Sequence, residues 1–142
     1  MADWRKQLDG FFEKGSEPTP AKEVSEFSGF ISTVVMPALE ELAPELEKHG
    51  RSVVIRNSVT SAAMIIQHGG EEEMTYRVQR RRFPNKVLPY AEIRCRERSG
   101  LRYVTVESMF RSGSSTYKLA DITKEEIIQN FLENYTRRIG KA

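Results

Sequence analysis

The apolar residues of this chain change their spacing near residue 50, and this change restricts the possible fold more than any other feature. Before Gly50 they recur every three or four residues, as on one face of a helix. From Arg51 onward they alternate with polar residues, as on a strand with one buried face. The order therefore predicts helices followed by an antiparallel sheet, which is an α+β arrangement.

Two helices are predicted before the change in spacing. An amphipathic helix over residues 3–14 carries four large apolar side chains at helical spacing, and glycine and proline residues end it. A second helix begins near Pro20 and runs to about residue 48, where His49 and Gly50 supply a cap. Pro37 predicts a kink because proline removes an amide donor and clashes with the preceding turn.

Five or six short strands are predicted after residue 50, because runs of β-branched and aromatic residues alternate with turn residues. Such short links between consecutive strands are typical of an antiparallel meander. The predicted strands are Ser52–Asn57, Thr60–Gln67, Met74–Arg82, Tyr90–Arg98, Leu101–Phe110 and, as an optional sixth, Thr116–Leu119.

A last helix is predicted after Asp121, with Thr123 as its N-cap and Glu126 completing a capping box. Its buried stripe is expected to consist of Ile127, Phe131, Leu132 and Tyr135. Residues 1–142 are thus expected to form a single α+β domain: two N-terminal helices, a five- to six-stranded antiparallel meander sheet, and a C-terminal helix packed on one sheet face. The segment 1–15 is expected to be peripheral or to mediate dimerisation.

The strand-like stretch from Tyr76 to Arg111 contains nine arginines and only three glutamates. Residues 1–50 carry a net charge of −5 and residues 51–142 a net charge of +7. Like charges opposite each other in a sheet are destabilising unless something neutralises them. The pattern therefore predicts a basic surface on the sheet that meets an anionic partner.

The faces of these strands follow from the shortest turn. If Ser99-Gly100 is a two-residue hairpin loop, paired residue numbers sum to 199. Cys95 then lies on the apolar face, and Arg94 and Arg96 lie on the polar face. For the preceding strand, the longer connection from Phe83 to Pro89 suggests a sum near 173, which would place arginines opposite one another.

The predicted binding residues lie on the exposed sheet face and at its edge loop, where guanidinium groups match carboxylate or phosphate groups. They are Arg77, Arg81, Arg94, Arg96, Tyr103 and Arg111. The leading hypothesis is a non-enzymatic binding or adaptor domain that recognises an anionic partner. An acidic protein segment, a nucleic acid and a phosphorylated ligand remain alternative partners.

Catalytic motifs are not recognisable in the sequence. His49 and His68 lie beside glycines and outside any metal-ligand spacing, and Cys95 is expected to be a small buried hydrophobe. We predict no catalytic residue, no metal and no cofactor. Enzymatic activity is left open, with a non-enzymatic role favoured.

Two other functions stay under consideration. One is a small-ligand carrier or enzyme with an apolar pocket between sheet and helices, to which Tyr76, Tyr90, Tyr117 and Tyr135 would contribute polar groups. The other is a structural subunit that forms a homodimer. A single cysteine, no signal-like segment and no apolar run of membrane-spanning length predict a cytoplasmic protein.

Overall fold

The structure is a computed structural model that describes residue 4 and residues 20–83, 86–96, 102–111 and 119–139. From Pro20 to Lys48 the chain is helical without a break. Helix α1 spans Pro20–Phe30, a π-helical turn spans Ile31–Val35, and helix α2 spans Met36–Lys48. The N-terminal helix predicted over residues 3–14 lies outside the described residues except for Trp4, which is helical and exposed.

A π-helical turn lies immediately before the position where the sequence predicted a kink. The amide of Met36 donates to the carbonyl of Ile31, five residues earlier, just before Pro37, which has no amide hydrogen to donate. The helix thus has one wider turn at Ile31–Val35 and continues as α2. At its end Gly50 adopts a φ of 83° and its amide donates to Glu47 at 3.1 Å, so the predicted cap is confirmed.

The sheet has five strands, and all neighbouring pairs are antiparallel. Their order across the sheet equals their order along the chain, which confirms the predicted meander. Of the optional sixth strand only Leu119 is described, and it belongs to a 3-10 turn, Leu119–Asp121. The strands are β1 Ser52–Asn57, β2 Ala62–His68, β3 Glu71–Phe83, β4 Lys86–Arg96 and β5 Tyr103–Met109.

The register of the last two strands is the predicted one, since Ile93 pairs with Val106. The predicted register of β3 and β4 is wrong by four residues, because Met74 rather than Val78 pairs with Cys95. The connection between these strands is much shorter than expected.

Strand β3 continues to Phe83, which pairs with Lys86 at the start of β4. Strand β4 therefore includes Pro89, which sequence reasoning placed in a loop. A proline is tolerated there because Pro89 lies beyond the end of β5, whose last residue, Met109, pairs with Tyr90.

Helix α3, Lys124–Ile139, packs on the same side of the sheet as α1 and α2. The core lies between these helices and one sheet face, and its largest fully buried side chains include Phe27, Tyr76 and Phe131. Leu132 was predicted to be buried but is 40% exposed. The helical position two residues earlier is buried instead, and it holds Asn130, a polar residue that an apolar pattern does not identify.

Candidate binding face

We call the side of the sheet that faces away from the helices the outer face. Strand alternation assigns it: Tyr76 is fully buried among core residues, and its neighbour Arg77 points the other way with its side chain 40% exposed. No described helix contributes to this face. Its side chains include Val54, Arg56, Ala63, Ile65, Thr75, Arg77, Gln79, Arg81, Tyr90, Glu92, Arg94, Arg96, Tyr103, Thr105 and Glu107.

The predicted alternation along β4 is confirmed. Cys95 is 3% exposed, whereas the side chains of Arg94 and Arg96 are 52% and 36% exposed. Burial raises the pKa of the Cys95 thiol, although Arg138 of α3 opposes this rise. A buried thiol with a raised pKa is a poor nucleophile, and Cys95 serves as a core residue.

Two outer-face arginines form short ion pairs with glutamates. Arg81 Nη2 lies 2.5 Å from Glu107 Oε2, and Arg96 Nη1 lies 2.7 Å from Glu71 Oε2. These hydrogen bonds are the first cause of the raised pKa of each guanidinium. The repulsion expected between arginines is therefore partly relieved by glutamates of β3 and β5.

Two other arginines of the outer face lie farther from their nearest glutamate oxygens. Arg77 Nη1 lies 3.6 Å from Glu92 Oε1, and Arg94 Nη1 lies 3.7 Å from Glu72 Oε2. Neither distance is a hydrogen bond. The observed register explains the first contact, because Arg77 pairs with Glu92 instead of with Arg96 as the wrong register required.

A register shift in β3 separates two adjacent glutamates. Ile66 pairs with Met74 while Gln67 pairs with Glu72, so Glu73 is passed over in the ladder. Such an irregularity re-aims side chains. Glu72 contacts Arg94 on the outer face, whereas Glu73 turns to the helix side.

The tyrosine rings of the outer face are covered by arginines. The guanidinium carbon of Arg81 lies 4.4 Å from the ring centroid of Tyr90. The guanidinium carbons of Arg94 and Arg96 lie 4.5 Å and 5.4 Å from the ring centroid of Tyr103. Cation–π contacts of this kind orient the guanidinium groups and shield the ring faces.

Arg111 was predicted to belong to this surface but lies apart from it. It makes a two-pronged ion pair with Glu126 of α3, at 2.9 Å and 2.7 Å, and it also donates to the carbonyl of Asp121. This contact lowers the pKa of Glu126. Arg111 therefore connects the end of β5 to the start of α3.

Arg56 was missed by the sequence reasoning and belongs to the outer face. It pairs with Ala63 of β2, which in turn pairs with Arg77 of β3. The signal was present, because alternation along Ser52–Asn57 puts Arg56 opposite in direction to Ile55.

The polar groups on the helix side hold α3 in place. Arg51 donates to Glu73 at 3.2 Å and 2.9 Å, and the hydroxyl of Tyr135 donates to the same carboxylate at 2.5 Å. Burial alone would raise the pKa of Glu73, but the hydrogen bonds from Arg51 and Tyr135 lower it overall. The pKa of Tyr135 is raised to about 12, first by burial and then by Glu73.

A cavity of about 440 Å³ opens beside the π-helical turn, away from the outer face. It is lined by Glu26, Phe30, Thr33, Val34, Leu119, Ala120 and Ile122. Neither Tyr76 nor Tyr135 lines it, Tyr90 lies on the outer face, and Tyr117 is outside the described residues. Within the described ranges, no three histidine, cysteine, aspartate or glutamate side chains are grouped to hold a metal ion.

Comparison with known proteins finds a distant similarity to a transporter. The chain is 26% identical over 118 residues to the high-affinity choline transport protein of Escherichia coli K12, and equally to that of strain O157:H7. The aligned part is 78% of this chain but 17% of the transporter, so the chain spans about a sixth of those relatives. No family model and no solved structure matches. None of the described helices has the length and apolar composition needed to cross a bilayer.

Proposed function

We propose that this chain is a non-enzymatic binding or adaptor domain that recognises an anionic partner through the outer face of its sheet. The observation that carries the proposal is a five-stranded surface rich in arginine and tyrosine that no described helix covers. Arginine and tyrosine are the residue types most enriched where proteins bind one another.

The ion pairs on this face are compatible with partner binding. Surface pairs such as Arg77 with Glu92 contribute only about 0–1 kcal/mol. An incoming carboxylate or phosphate can therefore compete for the guanidinium at little cost. The ring of Tyr103 limits the number of orientations that Arg94 adopts, which reduces the entropy lost on binding.

The similarity to a transporter supports an accessory role more than a shared ligand. A region of about a sixth of the transporter's length resembles this chain, as expected for a module that also occurs within larger proteins. Choline is a quaternary ammonium ion and would bind on aromatic ring faces. The rings of Tyr90 and Tyr103 already carry guanidinium groups, so the outer face suits an anion better than a cation.

The test is to map binding residue by residue by ¹H–¹⁵N NMR while adding three anionic probes separately. The probes are an oligoglutamate peptide, a thymidine oligonucleotide and inorganic phosphate. We expect at least one of them to shift the amide signals of β1 to β5 and to leave those of α1 and α2 unchanged.

The same titration at higher salt provides the control, since contacts between exposed charges weaken as screening increases. The proposal is wrong if none of the three probes binds at low salt. It is also wrong if the shifts are confined to the helices or to the cavity beside the π-helical turn.

A further inference from the structure

Three arginines of the outer face make no hydrogen bond to a carboxylate in the described part of the chain. Arg77 and Arg94 lie 3.6 Å and 3.7 Å from their nearest glutamate oxygens, beyond hydrogen-bond range. Arg56 is exposed and has no ion pair with any described residue. We call Arg56, Arg77 and Arg94 the unbonded arginines.

The side chains between the unbonded arginines are small or apolar. Ala63 lies between Arg56 and Arg77 in one row across the sheet. In the next row Val54 pairs with Ile65, and Ile65 pairs with Thr75 beside Arg94. Ala63 is 4% exposed and Thr75 8%, whereas Val54 is 42% exposed. Val54, Ala63, Ile65 and Thr75 thus form a shallow strip of small or apolar side chains beside the unbonded arginines. We call it the apolar strip.

The spacing of these arginines matches that of an extended peptide. Arg77 and Arg94 are diagonal neighbours on adjacent strands, which places them roughly 7–8 Å apart. Alternate side chains of an extended segment point to one side and are separated by about 7 Å. Arg56 is two strands from Arg77, at about 10 Å, which is within reach of a further acidic side chain.

We infer that the unbonded arginines and the apolar strip bind an extended acidic segment of a partner protein, with two carboxylates two residues apart on Arg77 and Arg94. An apolar side chain of the same segment covers Val54 and Ile65. This inference rests on the proposed function and specifies both the partner and the part of the face that it contacts.

A nucleic acid is the less suitable partner for this face. Glu71, Glu72, Glu92 and Glu107 lie among the arginines, and they would repel a continuous row of phosphates. Base stacking needs free aromatic faces, and the rings of Tyr90 and Tyr103 are covered by guanidinium groups. A peptide can place carboxylates at separate points and apolar groups between them.

The experiment measures binding of a fluorescent peptide with glutamates at alternate positions and one leucine, by anisotropy, to the full chain and its variants. Substituting R77A or R94A should weaken binding roughly tenfold, because a charge-assisted, two-pronged contact is lost. R56A should weaken it less. R77K should recover only part of the affinity, since lysine keeps the charge but not the planar fork.

Arg81 and Arg96 provide matched controls on the same face. R81A and R96A change the net charge by the same amount, but these guanidinium groups are already hydrogen-bonded to Glu107 and Glu71. We expect less than about a twofold change in affinity from either. Urea unfolding of each variant checks that the fold is retained.

The possible outcomes separate the inference from the proposed function. Equal losses from R77A, R94A, R81A and R96A would show a diffuse cationic surface and would overturn the inference while leaving anion binding intact. Binding of a thymidine oligonucleotide in preference to the peptide would also overturn it. No binding of any anionic probe by the wild-type chain would overturn both.

Discussion

The side chain of Tyr76 joins a polar cluster inside the contact between α3 and the sheet. Its hydroxyl donates to Asn130 Oδ1 at 2.7 Å, and Asn130 Nδ2 donates to the hydroxyl of Ser108 at 3.0 Å. Asn134 donates to the same hydroxyl at 3.3 Å. Burial raises the pKa of Tyr76 well above its usual range, so the phenol stays a donor. Because Tyr76 and Asn130 are both buried, the hydroxyl of one and the amide oxygen of the other depend on each other as partners.

We predict that Y76F destabilises the fold by about 1–3 kcal/mol, because it leaves the Asn130 carbonyl oxygen buried without a donor. The double variant Y76F/N130L should lose less than the sum of the single losses, since it removes both partners. Urea unfolding measures the three free energies. Strictly additive losses of stability would show that the hydrogen bond between Tyr76 and Asn130 contributes nothing to the free energy of unfolding.

At the scale of elements, α3 is attached to the sheet at several points along its length. Arg111 after β5 binds Glu126 near the start of the helix, and Glu73 of β3 accepts from Tyr135 near its end. The helix start is also capped, because the amide of Glu126 donates to Thr123 Oγ1 at 3.2 Å and the carboxylate of Glu126 accepts from the Thr123 amide at 3.4 Å. The predicted capping box is therefore confirmed.

We expect T123A to destabilise the protein by about 0.5–2 kcal/mol, as for other N-cap threonines. T136A is the matched control: the Thr136 hydroxyl donates to backbone carbonyls of the exposed part of the same helix, those of Leu132 at 2.8 Å and Glu133 at 3.5 Å. That variant should change stability by at most about 0.5 kcal/mol. The measurement is the urea midpoint of each variant, compared at an unchanged m-value. If T136A lost as much stability as T123A, a capping role for Thr123 would be contradicted.

At the scale of the whole molecule, two carboxylates connect separate parts of the fold and make its stability depend on pH. The pKa of Glu73 and that of Glu126 are both lowered from 4.5, the ordinary value, in the folded protein. A group whose pKa is lower in the folded state stabilises that state above its unfolded pKa. This stabilisation is lost as the pH falls through the folded value.

We predict that the urea midpoint stays level near neutral pH and falls as the pH drops below about 4.5, with E73Q and E126Q each showing a shallower fall than the wild type. Both variants should be less stable than the wild type at pH 7, because Arg51 or Arg111 loses its ionised partner. Acid sensitivity that is identical in all three proteins would assign the effect to other groups.

The strand regions show how far sequence reasoning reaches. The register of β4 and β5 was predictable because assuming a two-residue turn at Ser99-Gly100 gives a pairing that keeps both faces consistent. The register of β3 and β4 was not, since Pro89 suggested a loop although it lies in a strand beyond the end of β5. The error of four residues kept every side chain on its correct face, because four is an even number.

Apart from the register shift at Glu73, the direction of the strand side chains is thus determined by the sequence alone, because alternation is a property of the local backbone. The helix order, the capping box and the burial of Cys95 followed from similarly local rules. Only the tertiary structure decided which glutamate meets which arginine, and therefore which guanidinium groups keep donors for a partner. Those distances depend on register and on the irregularity at Glu73, and both arise from packing between strands that are separate in the sequence.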